Sequence, residues 1–358
     1  MNKQRIIDIV YSVLDAVLPP RIAEKIKIMG CILLNPWHLF PPRHPAFPVN
    51  NFADVTDEKI AGTYAGFPPE TIALLQGYVR RLRIFADFPY PHDSLRDGSN
   101  YGRLMTPEEL NEFSMIRKET AAVSKKLHYR VNGKIIWAPE AFYYHHGLRF
   151  APSEIKDYIR GKVFIDAGTG YGDSALVFLK YYDPAKVYSF EPSALNRGSC
   201  LEHFRKNAIP EEKYDICAMG LGQQCGNLQL KDTGGMGFDL TTADSSRTDG
   251  ELIKIDTVDH LFLPQKDKIG LIKADVEGMC LDMIRGAEEI IKRDLPVLSL
   301  GIYHNQEELL GVYEYLKSLN LNYEYLIQSL SPKIESIELN LLAFPFDNFF
   351  PKNVKSGI

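Results

Sequence analysis

Two carboxylates bracket a glycine-rich stretch in the segment Val163-Phe-Ile-Asp166-Ala-Gly168-Thr-Gly170-Tyr-Gly172-Asp173. An apolar run precedes it and a helical pattern follows it, so Gly168, Gly170 and Gly172 fall on a strand-to-helix turn. Glycine lets such a turn bend sharply and bring bare backbone up to a ligand. The dinucleotide fingerprint G-x-G-x-x-G would need a glycine where this chain has Asp173. A carboxylate at the helix entry repels a diphosphate, and Asp166 adds a second negative charge at the strand end. Both suit a ligand carrying an ammonium or sulfonium charge.

Glu191-Pro192 ends the next apolar run. An acidic side chain at that place accepts hydrogen bonds from ribose hydroxyls. Asp166, the three glycines, Asp173, Glu191 and Pro192 together favour S-adenosylmethionine over NAD. An NAD-linked oxidoreductase, or a non-catalytic module of the same fold, stands as the alternative. Met219, ending a third apolar run, would line the adenine pocket or serve as a core methionine.

A second set of candidates is Asp275, Glu277, Tyr303 and His304, at the carboxyl ends of two further apolar runs. Ligands of an open parallel sheet bind at those ends. Chemistry on a ligand held there needs positioning of the reacting atoms and a group that removes a proton. His304 is the natural general base, because an unperturbed imidazole titrates at about pH 6.5. Asp275 would face the amino-acid part of the cofactor or the acceptor hydroxyl, or cap the helix that follows it. Glu277 could do either job, or face the helix dipole. Asp275, Glu277 and His304 could also gather around Mg²⁺, although no spacing demands a metal. Lys273, inside the strand, could reach the acceptor or snorkel out of the sheet. Tyr143, Tyr144, His145 and His146 could wall an acceptor pocket or simply pack. Asp244-Ser245-Ser246, in the glycine-rich stretch 234–250, could belong to a lid or to a plain surface loop.

The elements that must hold these residues follow from apolar spacing. Strands are expected at 163–166, 187–191, 214–219, 271–275, 296–303, 323–327 and 338–344. Helices are expected from about 173, over 193–207, from about 279 with Leu281, Ile284, Ala287 and Ile291 on one face, and from Asn305 with Glu308 in capping-box register. Alternation of strand and helix predicts an α/β fold: a doubly wound, mostly parallel seven-stranded sheet with one antiparallel strand. Asn132-Gly133 marks a hairpin over 128–138. Upstream, residues 6–18 read as an amphipathic helix stopped by Pro19-Pro20, and five prolines within 35–48 demand extended chain. Helices are expected over 69–86 and from Thr106-Pro107-Glu108-Glu109 to about 126.

These residues resemble the class I methyltransferases, and more narrowly the FkbM family. The matching segments are Phe164-Ile-Asp166-Ala-Gly168-Thr-Gly170-Tyr-Gly172-Asp173-Ser174, Tyr188-Ser-Phe-Glu191-Pro192, Ile255-Asp256-Thr257-Val258-Asp259, Ile272-Lys273-Ala274-Asp275-Val276-Glu277-Gly278, Arg285-Gly286-Ala287 and Ile302-Tyr303-His304. They run in order through residues 128–345. The chain departs from the family at Thr169-Gly170, where Ala-Asn is common, and at Cys280, where Glu is common. The resemblance implies S-adenosylmethionine-dependent O-methylation of a hydroxyl on a sugar, a saccharide or a similar small molecule.

Composition narrows the rest. Of 22 prolines, 12 lie in residues 1–125, with only 6 of the 26 glycines. That asymmetry predicts two parts, a helical Pro-rich extension over 1–125 and a catalytic domain over 126–358. A net charge of −5 offers no basic footprint for nucleic acid. No apolar run reaches the ~18 residues of a membrane helix. Asp8 and Asp15 interrupt any leader-like segment, and the five cysteines form no CxxC pair, so a cytoplasmic enzyme with free thiols is expected. Assembly as a homo-oligomer is left open.

Overall fold

The structure, a computed structural model, describes residues 52–86, 107–131, 138–232, 238–241, 251–331 and 338–345, with a few isolated positions besides. The expected 6–18 helix (apart from isolated positions), the proline-rich 35–48 segment, Thr106, the second strand of the 128–138 hairpin with Asn132, and Asp244-Ser245-Ser246 lie outside the described residues.

From residue 52 onward, the described residues open with three helices: α1 (Asp57–Thr63), α2 (Pro69–Ala86) and α3 (Pro107–Lys126). Thr56 caps α1 by accepting from Lys59 N at 3.2 Å. Two short helices, α4 (Pro139–Phe142) and α5 (Ser153–Ile159), lead into the sheet. The alternating part then runs β1 (Val163–Ala167), α6 (Asp173–Tyr181), β2 (Lys186–Phe190), α7 (Ala194–Lys206) and β3 (Tyr214–Cys217). Four strands follow: β4 (Gly220–Leu221), β5 (Gly226–Asp232), β6 (Phe238–Thr241) and β7 (Glu251–Asp256). The last section is α8 (Val258–Phe262), β8 (Ile269–Ala274), α9 (Cys280–Arg285), α10 (Glu288–Asp294), β9 (Val297–Gly301), a π-helical turn (Glu307–Gly311), α11 (Val312–Ser318), β10 (Tyr323–Ser329) and β11 (Leu339–Pro345).

Seven strands form the main sheet in the order β10-β11-β9-β8-β1-β2-β3. Only β11 runs antiparallel to its neighbours, as the missing helix between the last two strands predicts. Strands β1, β8 and β9 are buried at every position, because helices cover both faces of a parallel sheet. Their sequences are accordingly almost continuous apolar runs. The exceptions stand side by side: Ser189 pairs with Asp166, Asp166 with Lys273, and Lys273 with Ser299, a polar row across four strands.

Two features depart from the sequence reading. A four-stranded sheet, β4-β7-β5-β6, occupies a region with little clear periodicity. Its small apolar face is Ile253 and Ile255 with Leu228 packed against them. The single helix expected from 279 is two, α9 and α10, separated at Gly286. The Gly222 carbonyl presses against Gly286, where a Cβ would overlap it. Ile284, Ala287 and Ile291 are nevertheless all fully buried, because the break preserves the apolar face.

Residues of α1 and α2 enter the same core as the sheet. Phe52, Ile60, Tyr64, Leu75 and Tyr78 cluster with Ile272, Leu298, Leu309 and Tyr313. Tyr64 stacks on Tyr313 with ring centroids 5.2 Å apart, and its hydroxyl donates to the Leu309 carbonyl. Such an aromatic pair contributes about 0.5–1.5 kcal/mol beyond its buried area.

Candidate active site

The turn after β1 is shaped by three glycines with positive φ, Gly168 at 71°, Gly170 at 51° and Gly172 at 89°. Each has a different reason. A Cβ on Gly168 would overlap the Asp275 carbonyl, and one on Gly172 would lie 2.5 Å from Cys200 Sγ. At Gly170 nothing lies within 4 Å of that position, so its face is open. Gly168 and Gly172 serve packing, whereas Gly170 has open space on its Cα face.

The charges around this turn are arranged inward. Asp166 is fully buried, and its Oδ2 accepts from Thr169 Oγ1 at 2.5 Å and Ser174 Oγ at 2.6 Å. Lys273 Nζ lies 3.3 Å from Asp166 Oδ1 and donates to the Gly168 carbonyl at 2.7 Å. Lys273 is therefore neither an acceptor contact nor a snorkelling side chain. It is 3% exposed and stitches β8 to the glycine turn. Burial opposes its charge, but Asp166, Asp275 and Asp173 outweigh that and raise its pKa. Asp173 opens α6, half-buried, and accepts from Ser174 N at 3.0 Å. Burial raises its pKa despite the nearby lysine.

Glu191, at the end of β2, folds back on the turn: Oε2 accepts from Gly170 N at 3.0 Å and Oε1 from Ser193 N at 2.8 Å. One oxygen thus fixes the open glycine and the other the entry of α7. Arg197 donates to the Glu191 carbonyl at 2.9 Å and to that of Pro192, holding this bend. Met219 follows β3, half-buried against the core.

The second group gathers at the ends of β8 and β9. Asp275 N donates to the Ala167 carbonyl at 3.1 Å, so this turn sits directly on the glycine turn. Glu277 and Gly278 both have positive φ, 52° and 99°, a conformation that costs a non-glycine residue about 1–3 kcal/mol. Asn305 Nδ2 donates to the Gly278 carbonyl at 3.0 Å and ties the two turns together. His304 is 4% exposed. Its Nε2 lies 3.3 Å from Asp275 Oδ1 and 3.8 Å from Glu277 Oε2, and its Nδ1 lies 2.8 Å from Glu308 Oε2. Burial pulls its pKa down, but Glu308, Asp275 and Glu277 prevail and raise it to about 10.

That value alters the reading of His304. At neutral pH the ring is an imidazolium, so its charge stands between Asp275 and Glu277 and it has no lone pair for a substrate proton. The three residues expected around Mg²⁺ do meet, but through this cation rather than as three free donors. Burial, more than its neighbours, lifts Glu277 to about 7. Asp275 is gripped from the other side by Tyr303, whose hydroxyl lies 3.0 and 3.1 Å from its two oxygens. The same hydroxyl lies 2.9 Å from Glu338 Oε1. One hydroxyl proton cannot serve both carboxyls. Burial and Asp275 raise the pKa of Glu338, and the Tyr303 hydroxyl, donating to it, opposes that rise.

Glu308, Tyr78 and Glu338 were not singled out for the site by the sequence. The sequence offers Glu308 as half of a capping box. Asn305 Oδ1 does accept from Glu308 N at 2.8 Å, but the Glu308 carboxylate goes to His304 and to Cys280 N. The spacing His304-x-x-x-Glu308 is the signal that would have found it. Tyr143 and His145 engage Arg149 and α6, whereas the His146 carbonyl accepts from Ser299 Oγ on β9 at 2.7 Å. Arg149 lies over Tyr143, and His145 meets Tyr182 at the far end of α6.

Residues 166–325 match the methyltransferase FkbM domain family. No curated protein matches the chain. Among solved structures, methyltransferase FkbM from Methylobacillus flagellatus KT aligns with 15% identity and a TM-score of 0.46, over 80% of this chain. The chain spans 58% of that protein's length. An rRNA methylase from Streptococcus thermophilus aligns with 14% identity and a TM-score of 0.37, over 59% of this chain and 98% of its own. SMU.1697c, a putative methyltransferase from Streptococcus mutans in complex with SAH, aligns with 15% identity and a TM-score of 0.36, over 58% of this chain and 98% of its own. Among the described residues no helix is long and apolar enough to cross a membrane. The glycine turn, the acidic end of β2 and the Asp-Val-Glu-Gly turn all lie inside residues 166–325, the segment that matches the methyltransferase FkbM domain family.

Proposed function

We propose that the protein transfers a methyl group from S-adenosylmethionine to a hydroxyl of a sugar, a saccharide or a similar small molecule. One observation carries the reading: the Gly168–Gly172 turn and the Asp275–Gly278 turn share main-chain contact, so an open backbone face and a charged acid–histidine group sit side by side. The residues present fit such a cofactor. Gly170 offers bare backbone, Asp173 a half-buried carboxylate, and Glu191, Pro192 and Met219 the ends of the next two strands. Asp166 would act from behind, holding Thr169, Ser174 and Lys273 in place. When bound, the sulfonium supplies a methyl carbon already activated for in-line displacement.

The chain's own part is positioning and one proton. Asp275, held by Tyr303 and His304, accepts a hydrogen bond from the acceptor hydroxyl. Glu277, with a pKa near neutrality and a partly exposed side chain, takes the proton as the oxygen attacks. The His304 imidazolium keeps these two carboxylates together and offsets their repulsion. Within the two-part organisation, residues 1–125 support the acceptor side, since α2 reaches the carbonyl of Tyr303.

The test is incubation with methyl-labelled S-adenosylmethionine and fractionated metabolite and glycan extracts, followed by mass spectrometry. Label on a hydroxyl oxygen of a small molecule or saccharide is the expected result. Absence of cofactor binding by calorimetry at millimolar concentration would end the proposal, and label on RNA or protein would redirect the acceptor.

A further inference from the structure

Away from this site, three side chains of metal-binding type converge on one another. Cys225, Asp256 and His260 each offer a donor atom, all within 4.8 Å. Asp256 ends β7, and His260 lies one turn into α8, where its backbone N–H is fixed by the Thr257 hydroxyl at 3.0 Å. Cys225 precedes β5, and the antiparallel pairing of Gly226 with Ile255 sets it beside Asp256. No sequence spacing announces this group, since ladder register brings it together. Of the three, only Asp256 lies in a segment shared with the family resemblance.

The contacts are crowded on a single oxygen. Asp256 Oδ1 receives Cys225 Sγ at 3.1 Å, His260 Nδ1 at 2.8 Å and Thr257 N at 2.9 Å. Cys225 Sγ lies 3.9 Å from His260 Nδ1. A carboxylate oxygen has two lone pairs, so three donors over-subscribe it. One dication in place of the thiol and imidazole protons would relieve that crowding. In a tetrahedral zinc site with bonds of about 2.0–2.3 Å, donor atoms stand about 3.3–3.6 Å apart. The distances here straddle that range, so small side-chain rotations suffice. Asp256 is 2% exposed, and its other oxygen is held by Lys254 Nζ at 3.0 Å, which fixes the carboxylate for a single bond to metal. Cys225 and the His260 side chain are exposed, leaving a way in.

We infer that Cys225, Asp256 and His260 form a zinc site that staples the β4–β5 turn to α8. A mixed sulfur, nitrogen and oxygen donor set suits Zn²⁺ better than Mg²⁺ or Ca²⁺. Three protein ligands leave the fourth position to water or an outside ligand. The site is separate from the methyltransferase centre but mechanically close to it. Gly222 N donates to the Asp256 carbonyl at 3.0 Å, and the Gly222 carbonyl presses on Gly286 between α9 and α10. Binding exchanges the thiol proton for a sulfur–zinc bond and releases that proton to solvent, while the imidazole proton shifts from Nδ1 to Nε2 and stays on the ring.

The test uses the full chain, stripped with a chelator and titrated with Co²⁺ and then Zn²⁺ alone. One equivalent of Co²⁺ is expected to give a thiolate-to-cobalt charge-transfer band, with release of one proton, and Zn²⁺ to abolish the band. Cys225→Ser should remove the band, and His260→Ala should weaken Zn²⁺ at least tenfold. Cys217→Ser, at the end of β3, should leave both unchanged. Circular dichroism shows that each variant is folded. No charge-transfer band in the native chain, or the same band in folded Cys225→Ser, would overturn the site and leave an ordinary hydrogen-bonded helix entry.

Discussion

The hydroxyl of Tyr78, on α2, donates to the main-chain carbonyl of Tyr303 at 2.9 Å, across 225 residues of sequence. Tyr303 is the residue that grips Asp275, and His304 follows it directly. A residue of α2 therefore buttresses the strand end that carries the candidate catalytic group. Tyr78→Phe leaves that carbonyl short of a donor while keeping the ring. The expected cost is about 1–3 kcal/mol in stability, with a lower turnover number. Urea unfolding and steady-state rates check it, and unchanged values of both would show that the contact does not support the site.

His304 gives a pH prediction with a definite sign. Its folded pKa, about 10, lies above the ordinary value of 6.5. The stability it contributes is fully present below about pH 6.5 and is lost as pH rises through 10. By NMR its ring resonances should stay fixed through neutrality in the native protein. In Glu308→Gln the ring loses its nearest partner, and its titration should move down toward neutral pH. A native His304 that titrates near 6.5 would contradict the imidazolium assignment and return it to the role of base.

Glu277 makes the activity prediction. Burial raises its pKa from 4.5 to about 7, so the stability of its protonated form is present below about 4.5 and lost as pH rises through 7. Methyl transfer should rise across the same upper limb, because the carboxylate is the base. Glu277→Gln should cost about 10²–10⁴ in turnover and flatten the profile. A profile that keeps its limb in Glu277→Gln assigns the proton to another group.

The glycine turn separates packing from binding. Gly168→Ala meets the Asp275 carbonyl and should destabilise the fold, visible as a lower melting temperature. Gly170→Ala has room for its methyl and should cost only about 1–2 kcal/mol for its positive φ, while weakening S-adenosylmethionine in calorimetry. Undiminished cofactor affinity in Gly170→Ala would place the ligand elsewhere.

Lys273 and Asp166 form a buried pair whose halves depend on each other. Lys273→Met strands a fully buried carboxylate and should cost about 3–5 kcal/mol, whereas adding Asp166→Asn should recover much of that loss. Chemical denaturation of the two single variants and the double variant measures the coupling. Strictly additive effects would mean that the pair is not an interacting unit.

Local features were written plainly in the chain. The positions of β1, β2, β8 and β9, the turn at Gly168–Gly172 and the helix entry at Ser193 follow from apolar runs, glycine and capping residues a few positions apart. Those signals act over one or two turns of backbone, so a linear reading captures them, and with them the mostly parallel sheet and its antiparallel strand, but not the order of the strands. The sequence alone also placed Asp275, Glu277 and His304 together at adjacent strand ends. Only the tertiary structure decided what those residues are chemically. The His304 pKa is raised because Glu308, hidden in a capping pattern, turns its carboxylate onto the buried ring. Asp166 looks outward as a letter in a motif, yet Lys273 from a neighbouring strand draws it inward. Gly286, between α9 and α10, has room for no Cβ against the Gly222 carbonyl, and Cys225 meets Asp256 and His260 through ladder register. Charge, protonation and break points depend on which distant groups share a buried volume, and that is settled by packing.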